Sequence, residues 1–343
     1  MRIFRPLWLI HLLTLAGCAS SAYEGPRTDH FDGERFHNLA PREDKSLWTV
    51  LKWQFTRTRP EWTWQEGPAV PTRPAARVEG GELRVTFVNH ATLLIQHQGL
   101  NILADPVWSE RVSPFSFIGP RRYHAPGVAL DDLPPLDLIF VSHSHYDHMD
   151  LATLRRLAER APLTPVVTPL GNAELIRRET GFVTVSELDW WQSLPLKEGL
   201  RLHLVPGQHW SARSRFDTNR RLWGGFVLEA PSGPVYFAGD TGWGPHFAQI
   251  RERLGAPRFA ALPIGAYEPR WFMQDSHLNP DDAVRAHQAL GAASSLGIHF
   301  GTFSLSDEGQ FAPPRDLAHA RALHGLADAA FRTLAPGEVW SVP

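Results

Sequence analysis

Apolar and polar positions alternate over Leu83-Arg84-Val85-Thr86-Phe87-Val88, and shorter apolar runs follow at 93–95 and 100–104 after brief polar breaks. A period of two belongs to a strand, so this stretch predicts a β-meander. Residues 136–141 are almost continuously apolar, the pattern of a strand buried on both faces. Beyond them helical and extended patterns alternate. Helices are expected over 151–160, 173–179, 247–254 and 280–290, and strands over 200–205, 225–229, 234–238, 259–263 and 295–298. Pro280, following Ser276 and Asn279, suits a helix start because the first helical position tolerates proline. A strand-rich opening that passes into mixed α and β in one continuous stretch implies a layered α/β architecture, sheet inside and helices outside.

The N-terminal part reads differently. Arg2 and Arg5 precede an apolar run over 7–15, which ends in Leu15-Ala16-Gly17-Cys18. A basic start, a short apolar run and small residues before a cleavage point describe a secretory signal peptide. The run is too short to remain as a spanning helix. Its ending resembles a bacterial lipoprotein signal, which implies lipidation of Cys18 and a membrane held through that anchor. Ala19 after the cysteine resembles outer-membrane sorting, so the expected location is the cell envelope, on the outer membrane facing the periplasm. Cys18 is the only cysteine, which rules out an internal disulfide. The expected organisation is a signal peptide over 1–17, a polar tether over 18–45, a Trp-rich arm over 46–80 and a hydrolase domain over 81–343. A short amphipathic helix is expected near Ser46–Phe55, and its tryptophans suit either a membrane- or substrate-facing element or simple packing on the main domain.

Charge narrows the partners. A formal net charge of -2 leaves no basic surplus for a nucleic-acid backbone. The 17 histidines point elsewhere. Ser142-His143-Ser144-His145-Tyr146-Asp147-His148-Met149-Asp150 follows the buried strand and has the form H-x-H-x-D-H. Packing does not account for three imidazoles and a carboxylate at a strand end, since buried polar groups without partners cost several kcal/mol. Neutral imidazole and carboxylate are ligands that zinc, iron and manganese accept. His209, Asp240 and His299 each stand just past a later expected strand, in Gln208-His209-Trp210, Gly239-Asp240-Thr241-Gly242 and Ile298-His299-Phe300-Gly301. Each alone is weak; their common position makes them jointly strong.

In this order the chain resembles the metallo-β-lactamase superfamily. Asn89-His90-Ala91-Thr92, Asp105-Pro106, Ser113-Pro114 with Gly119-Pro120-Arg121-Arg122, and Ile298-His299-Phe300-Gly301-Thr302-Phe303 are similar to its N-acylphosphatidylethanolamine-hydrolysing phospholipase D branch. The likeness runs from about residue 47 to about 311. It implies a four-layer αββα sandwich. It also implies two metal ions, zinc with iron or manganese as alternatives: His143, His145 and His209 on one, Asp147, His148 and His299 on the other, Asp240 between them. Two cations sharing a water lower its pKa, and the bridging hydroxide is the expected nucleophile on phosphorus, with Asp147 orienting it. The activity implied is a phospholipase D-like phosphodiesterase acting on a phospholipid. A lipoprotein leader departs from the animal phospholipases and bears on the physiological substrate.

Further residues have two readings each. His277, ahead of the helix at 280, is a catalytic candidate as proton donor or headgroup contact, or else a capping residue. His90 reads as a structural turn histidine, with support of a metal ligand as its other role. Arg121 and Arg122 read as solvated, with phosphate contact as the alternative. Of the functional alternatives, a lactonase or other ester hydrolase shares the chemistry, and a nuclease conflicts with the charge. A metal-binding envelope lipoprotein is the reading without turnover.

Overall fold

The structure is a computed structural model that describes residues 23–343 apart from 44, 59 and 68–71. Cys18 and the expected signal peptide lie outside the described residues. After helix α1 (Leu47–Thr56) the first half of the chain runs β1 (Leu83–Asn89), β2 (Thr92–His97), β3 (Leu100–Ala104), β4 (Leu138–Phe140), α2 (Leu151–Arg160), β5 (Val166–Pro169), α3 (Ala173–Thr180) and β6 (Val185–Leu188). The second runs β7 (Ser193–Lys197), β8 (Leu200–Val205), β9 (Gly225–Glu229), β10 (Val235–Phe237), α4 (His246–Leu254), β11 (Phe259–Pro263), α5 (Arg270–Met273), α6 (Pro280–Leu290), β12 (Ser294–Ile298), α7 (Ala312–Leu323), β13 (Phe331–Arg332) and β14 (Val339–Val342).

These strands form two seven-stranded sheets, ordered β14-β1-β2-β3-β4-β5-β6 and β13-β12-β11-β10-β9-β8-β7. Side chains on a strand alternate between faces, and both faces are used. Val85, Phe87, Ile95, Ile102 and Phe140 point into one core together with Leu204, Phe226, Phe237, Ala261 and Leu296 of the second sheet. Their neighbours Leu94, Leu103, Ile139 and Val141 meet Leu154 and Leu157 of α2 and Ile176 of α3. On the far side Val227, Tyr236, Ala260 and Leu262 meet Phe247 of α4, Val284 of α6 and Leu317 of α7. That double burial explains the unbroken apolar run at β4. It also builds the expected αββα sandwich, each fully buried aliphatic or aromatic side chain contributing ~1.5–3 kcal/mol.

The residues expected to be a tether are partly structure. Phe31 and Phe36 are each 1% exposed and join the core between the sheets, and Tyr23 meets Phe31 edge-on at 5.0 Å. His30 stacks on Trp190 at 4.5 Å, with Asp29 and Asp189 on its two ring nitrogens. Isolated aromatics in a polar stretch carry no period, so the expectation of a loose tether over 18–45 fails from Tyr23 onward. The Trp-rich arm divides its aromatics. Trp53 is buried, stacks on Phe272 at 4.6 Å and donates from Nε1 to Asp307, whereas Trp48 and Phe55 face solvent. No helix among the described residues is long and apolar enough to cross a membrane.

Candidate metal centre and its cavity

Every candidate ligand stands on a loop at the same rim of the sandwich. The 142–149 loop follows β4, the His209 and Asp240 loops follow β8 and β10, and His299 follows β12 directly. Local chemistry explains each placement. Asp150 ends the first loop by capping α2, accepting from the main chain of Ala152 and Thr153 and from the Thr153 hydroxyl at 2.6 Å. Arg213 grips the same loop from outside, donating to the carbonyls of Ser144 and Met149 while lying 3.9 Å over the Tyr146 ring. Gly239 brings the Asp240 loop close: a Cβ there would stand 2.7 Å from the Ser142 Cβ, and its φ is +62°. His277 is set between α5 and α6, where Asn279 and Asp282 form a capping box behind Pro280 and Leu278 donates to the Thr241 carbonyl.

The seven expected ligands converge. His143 Nε2 lies 2.8 Å from His145 Nδ1, which lies 3.2 Å from His209 Nε2. His209 donates from Nδ1 to the Ser276 carbonyl at 2.9 Å, leaving Nε2 as a bare lone pair aimed at the other two rings. Asp240 Oδ2 sits centrally, 3.1 Å from His299 Nε2, 3.3 Å from His148 Nε2 and 3.7 Å from His209 Nε2. Asp147 Oδ2 is 3.3 Å from His299 Nε2 and 3.5 Å from His148 Nε2. Two compact donor sets result, His143 with His145 and His209, and Asp147 with His148, His299 and His90. Asp240 adjoins both, once with His143 and His148 and once with His209 and His277.

This donor set fits metal ions. Within the cluster His148 Nε2, His277 Nδ1 and Asp240 Oδ1 are buried with no hydrogen-bond partner among the described residues. Such orphans cost free energy unless something positive meets them. Burial holds His143 and His209 well below the usual imidazole range and brings His145 down to about 4, so these rings are neutral and free to ligate. His148 behaves oppositely. Burial opposes its charge, yet Asp240, Asp147 and Asp105 hold it well above the usual value, and His299 likewise reaches about 9 beside Asp240 and Asp147. The two carboxylates are held well below their usual range against burial, Asp147 chiefly by His148 and Asp240 chiefly by His299. That concentration of negative charge is what a divalent cation neutralises.

Several residues have roles that the sequence did not reveal. Asp105 is fully buried, and its Oδ2 accepts from His148 Nδ1 at 2.6 Å while its Oδ1 accepts from the Ser142 main chain at 2.7 Å. It thereby fixes the His148 tautomer with Nε2 toward the centre. His90, read first as a turn histidine and second as support of a metal ligand, has the second role: its Nε2 is 3.0 Å from Asp147 Oδ2 and its ring lies 4.1 Å from that of His299. Burial brings His90 down to about 3, so it donates to Asp147 as a neutral ring. His90, Asp105 and His299 all have positive φ, at 46°, 41° and 63°, a conformation uncommon for side-chain-bearing residues and concentrated here at one centre. Arg122, expected to be solvated, is buried and knits its loop by donating to the carbonyls of Ser109 and Val107.

Above the donors opens a cavity of about 490 Å³. His145, Asp147, Asp240, His277 and His299 reach its floor, Val50, Trp53, Trp210, Phe272 and Leu305 give apolar walls, and Arg42 and Lys45 border it. Lys45 pairs with Asp275 at 2.8 Å, and the Arg42 guanidinium lies 5.6 Å over the Trp210 ring. His277 is brought down to about 4 by burial, partly opposed by Asp240, so at neutral pH it offers a hydrogen bond rather than a positive charge.

The beta-lactamase superfamily domain profile matches residues 100–300. The chain is 40% identical over 270 residues to N-acyl-phosphatidylethanolamine-hydrolyzing phospholipase D 1 of Caenorhabditis elegans, covering 75% of both proteins. It is 35% identical over 250 residues to the mitochondrial enzyme of that name from Saccharomyces cerevisiae, covering 71% of this chain and 53% of the yeast protein. In fold it is similar to the isothiocyanate hydrolase from Delia radicum gut bacteria, with a TM-score of 0.61 at 22% identity over 76% of this chain and 99% of the other. Together the sandwich, the rim of imidazoles and carboxylates and these likenesses show that the chain belongs to the metallo-β-lactamase superfamily, in its N-acylphosphatidylethanolamine-hydrolysing phospholipase D-like branch, and is a metal-dependent hydrolase.

Proposed function

We propose that the protein hydrolyses the phosphodiester of a phospholipid in the manner of a phospholipase D, with N-acylphosphatidylethanolamine as the first candidate substrate. The observation that carries this reading is the cavity itself: apolar walls for acyl chains, bordering cations for an anionic head, and a floor of metal donors. Its relatives from Caenorhabditis elegans and Saccharomyces cerevisiae point the same way. His143, His145 and His209 would hold one ion, Asp147, His148 and His299 the second, and Asp240 both; the imidazole and carboxylate set suits zinc, and also iron or manganese. Bound cations supply Lewis-acid activation of a water and neutralise charge on the phosphoryl oxygens.

The chain's own side chains do the rest. Asp147, steadied by the N–H of His90, presents its carboxylate at the cavity floor, where it orients the attacking water. His277 offers a ring N–H to the leaving oxygen or to a phosphoryl oxygen. Trp210, Trp53 and Phe272 keep bulk water from the reacting centre, and Arg42 and Lys45 draw in the anionic head. Lipidation of Cys18 belongs to the same proposal, since an anchored enzyme already sits beside its substrate; palmitate labelling that persists in Cys18→Ser would remove it. The central test incubates the metal-loaded protein with N-acylphosphatidylethanolamine vesicles and, in parallel, with an acyl-homoserine lactone. Release of phosphatidic acid, abolished in His148→Ala, is expected, and cleavage of the lactone alone overturns the reading.

A further inference from the structure

Asn38 stands outside every segment that carries a candidate ligand, yet its carboxamide closes a two-point ring with the main chain of His209. Oδ1 accepts from the His209 N–H at 2.9 Å, and Nδ2 donates to the His209 carbonyl at 2.8 Å. His209 is fully buried, so both of its main-chain groups need partners, and a side chain 171 residues away supplies them. Neighbouring contacts reinforce the same junction. The Gln208 side-chain amide donates to the Ala40 carbonyl at 3.1 Å, and Lys45 pairs with Asp275, the residue beside the Ser276 carbonyl that orients the His209 ring. The segment that brings Asn38 here, residues 23–43 and called the N-terminal arm below as distinct from the Trp-rich one, is itself fastened: Phe31 and Phe36 lie in the core, Phe36 donates to the Asn219 carbonyl and Arg35 to the Thr218 carbonyl.

We infer that Asn38 is a positioning residue for the metal centre: the N-terminal arm reaches over the finished sandwich and sets His209, the one ring of its donor set that does not come from the 142–149 loop. Two fixed points on the main chain and one on Nδ1 leave His209 Nε2 no freedom to swing from His143 and His145. Without the amide, the main chain of His209 itself loses both partners, while the neighbouring Gln208 keeps its N–H bond to the Thr241 hydroxyl, its carbonyl bond from Gly242 and its side-chain bond to Ala40.

The test is zinc affinity, measured on the full chain by competition with a chromophoric chelator, beside the melting temperature of the zinc-free protein. Asn38→Ala should weaken one of the two zinc equivalents by about ten- to a hundredfold, the range for removing a group that orients a ligand. The zinc-free melting temperature should fall by about a few degrees, because the buried main-chain groups of His209 lose their partners. Asn38→Asp keeps the size and the acceptor but sets a carboxylate oxygen against the His209 carbonyl; it should fold and weaken the same equivalent. A lowered zinc-free melting temperature with unchanged zinc affinity overturns the inference, because Asn38 then only packs the arm. So does failure of both variants to fold. The inference rests on His209 as a metal ligand, and a His209→Ala control separates the two: if that variant keeps both zinc equivalents at full affinity, the metal assignment fails rather than the role of Asn38.

Discussion

The two ends of the donor cluster are built of the same residue type and behave oppositely. At the end formed by His143, His145 and His209, burial dominates and the rings are neutral. At the end formed by His148 and His299, carboxylates outweigh burial and the rings are held above their usual range. The supports differ as well. The first end is pinned from the arm through Asn38 and from the 270s through Ser276, and the second by Asp105 and by Asp147 with His90. The two ends thus rest on different supports, which mutation can address in turn.

The contrast can be broken or sharpened in steps. Asp240 serves both ends, so Asp240→Ala should weaken both metal equivalents and reduce phosphodiester hydrolysis on the order of a thousandfold, a loss of several kcal/mol in the transition state; a rate within tenfold of the unaltered protein would show that the ends do not share it. Asp105→Asn acts directly on one end, at His148, and reaches the other through the Ser142 hydroxyl, which meets His143 Nδ1 at 2.9 Å. It removes the charge behind His148 and should lower affinity chiefly for one metal equivalent, by about ten- to a hundredfold, and combined with Asn38→Ala the two losses should fall chiefly on different equivalents in a chelator titration. Trp53→Ala touches neither end. It should raise KM for a long-chain phospholipid by about tenfold, the equivalent of one buried aromatic contact, with metal content unchanged by elemental analysis.

The smallest effect is expected at His30. Both its ring nitrogens face carboxylates, which only accept, so the doubly protonated ring alone satisfies both. Burial opposes that charge, but Asp189 and Asp29 hold its pKa above the usual value. A raised pKa means that its stabilisation is fully present below about pH 6.5 and is lost as pH rises through the folded value. The melting-temperature difference between the protein and His30→Gln should therefore be largest in mild acid and shrink above neutrality; a constant difference would remove His30 as a charged anchor of the arm.

Much of this was legible in the sequence, and the omissions share a cause. Strands β1 to β4 and β8 to β12 announce themselves by period or by an unbroken apolar run, and ligands just past a strand end inherit a common rim. Asp105 shows no such mark, because its partner His148 is 43 residues away and Asp-Pro after a strand reads equally as a turn. Asn38 is more hidden still: an amide in a polar stretch has no sequence signal, and only the seating of Phe31 and Phe36 brings it to His209. Strand β7 is half-exposed and contains Pro195, which dilutes its alternation, and α7 opens on two prolines.

The approach of Gly239 to Ser142 has a consequence for how such a centre varies among relatives. Because the two loops, one from each sheet, meet there through Cα and Cβ rather than through long side chains, the gap between their donors is a dimension of the framework, not of adjustable rotamers. Grafting either loop from a homologue without its counterpart would displace Asp240 from the imidazoles opposite, so the two segments are exchangeable as a pair and not singly.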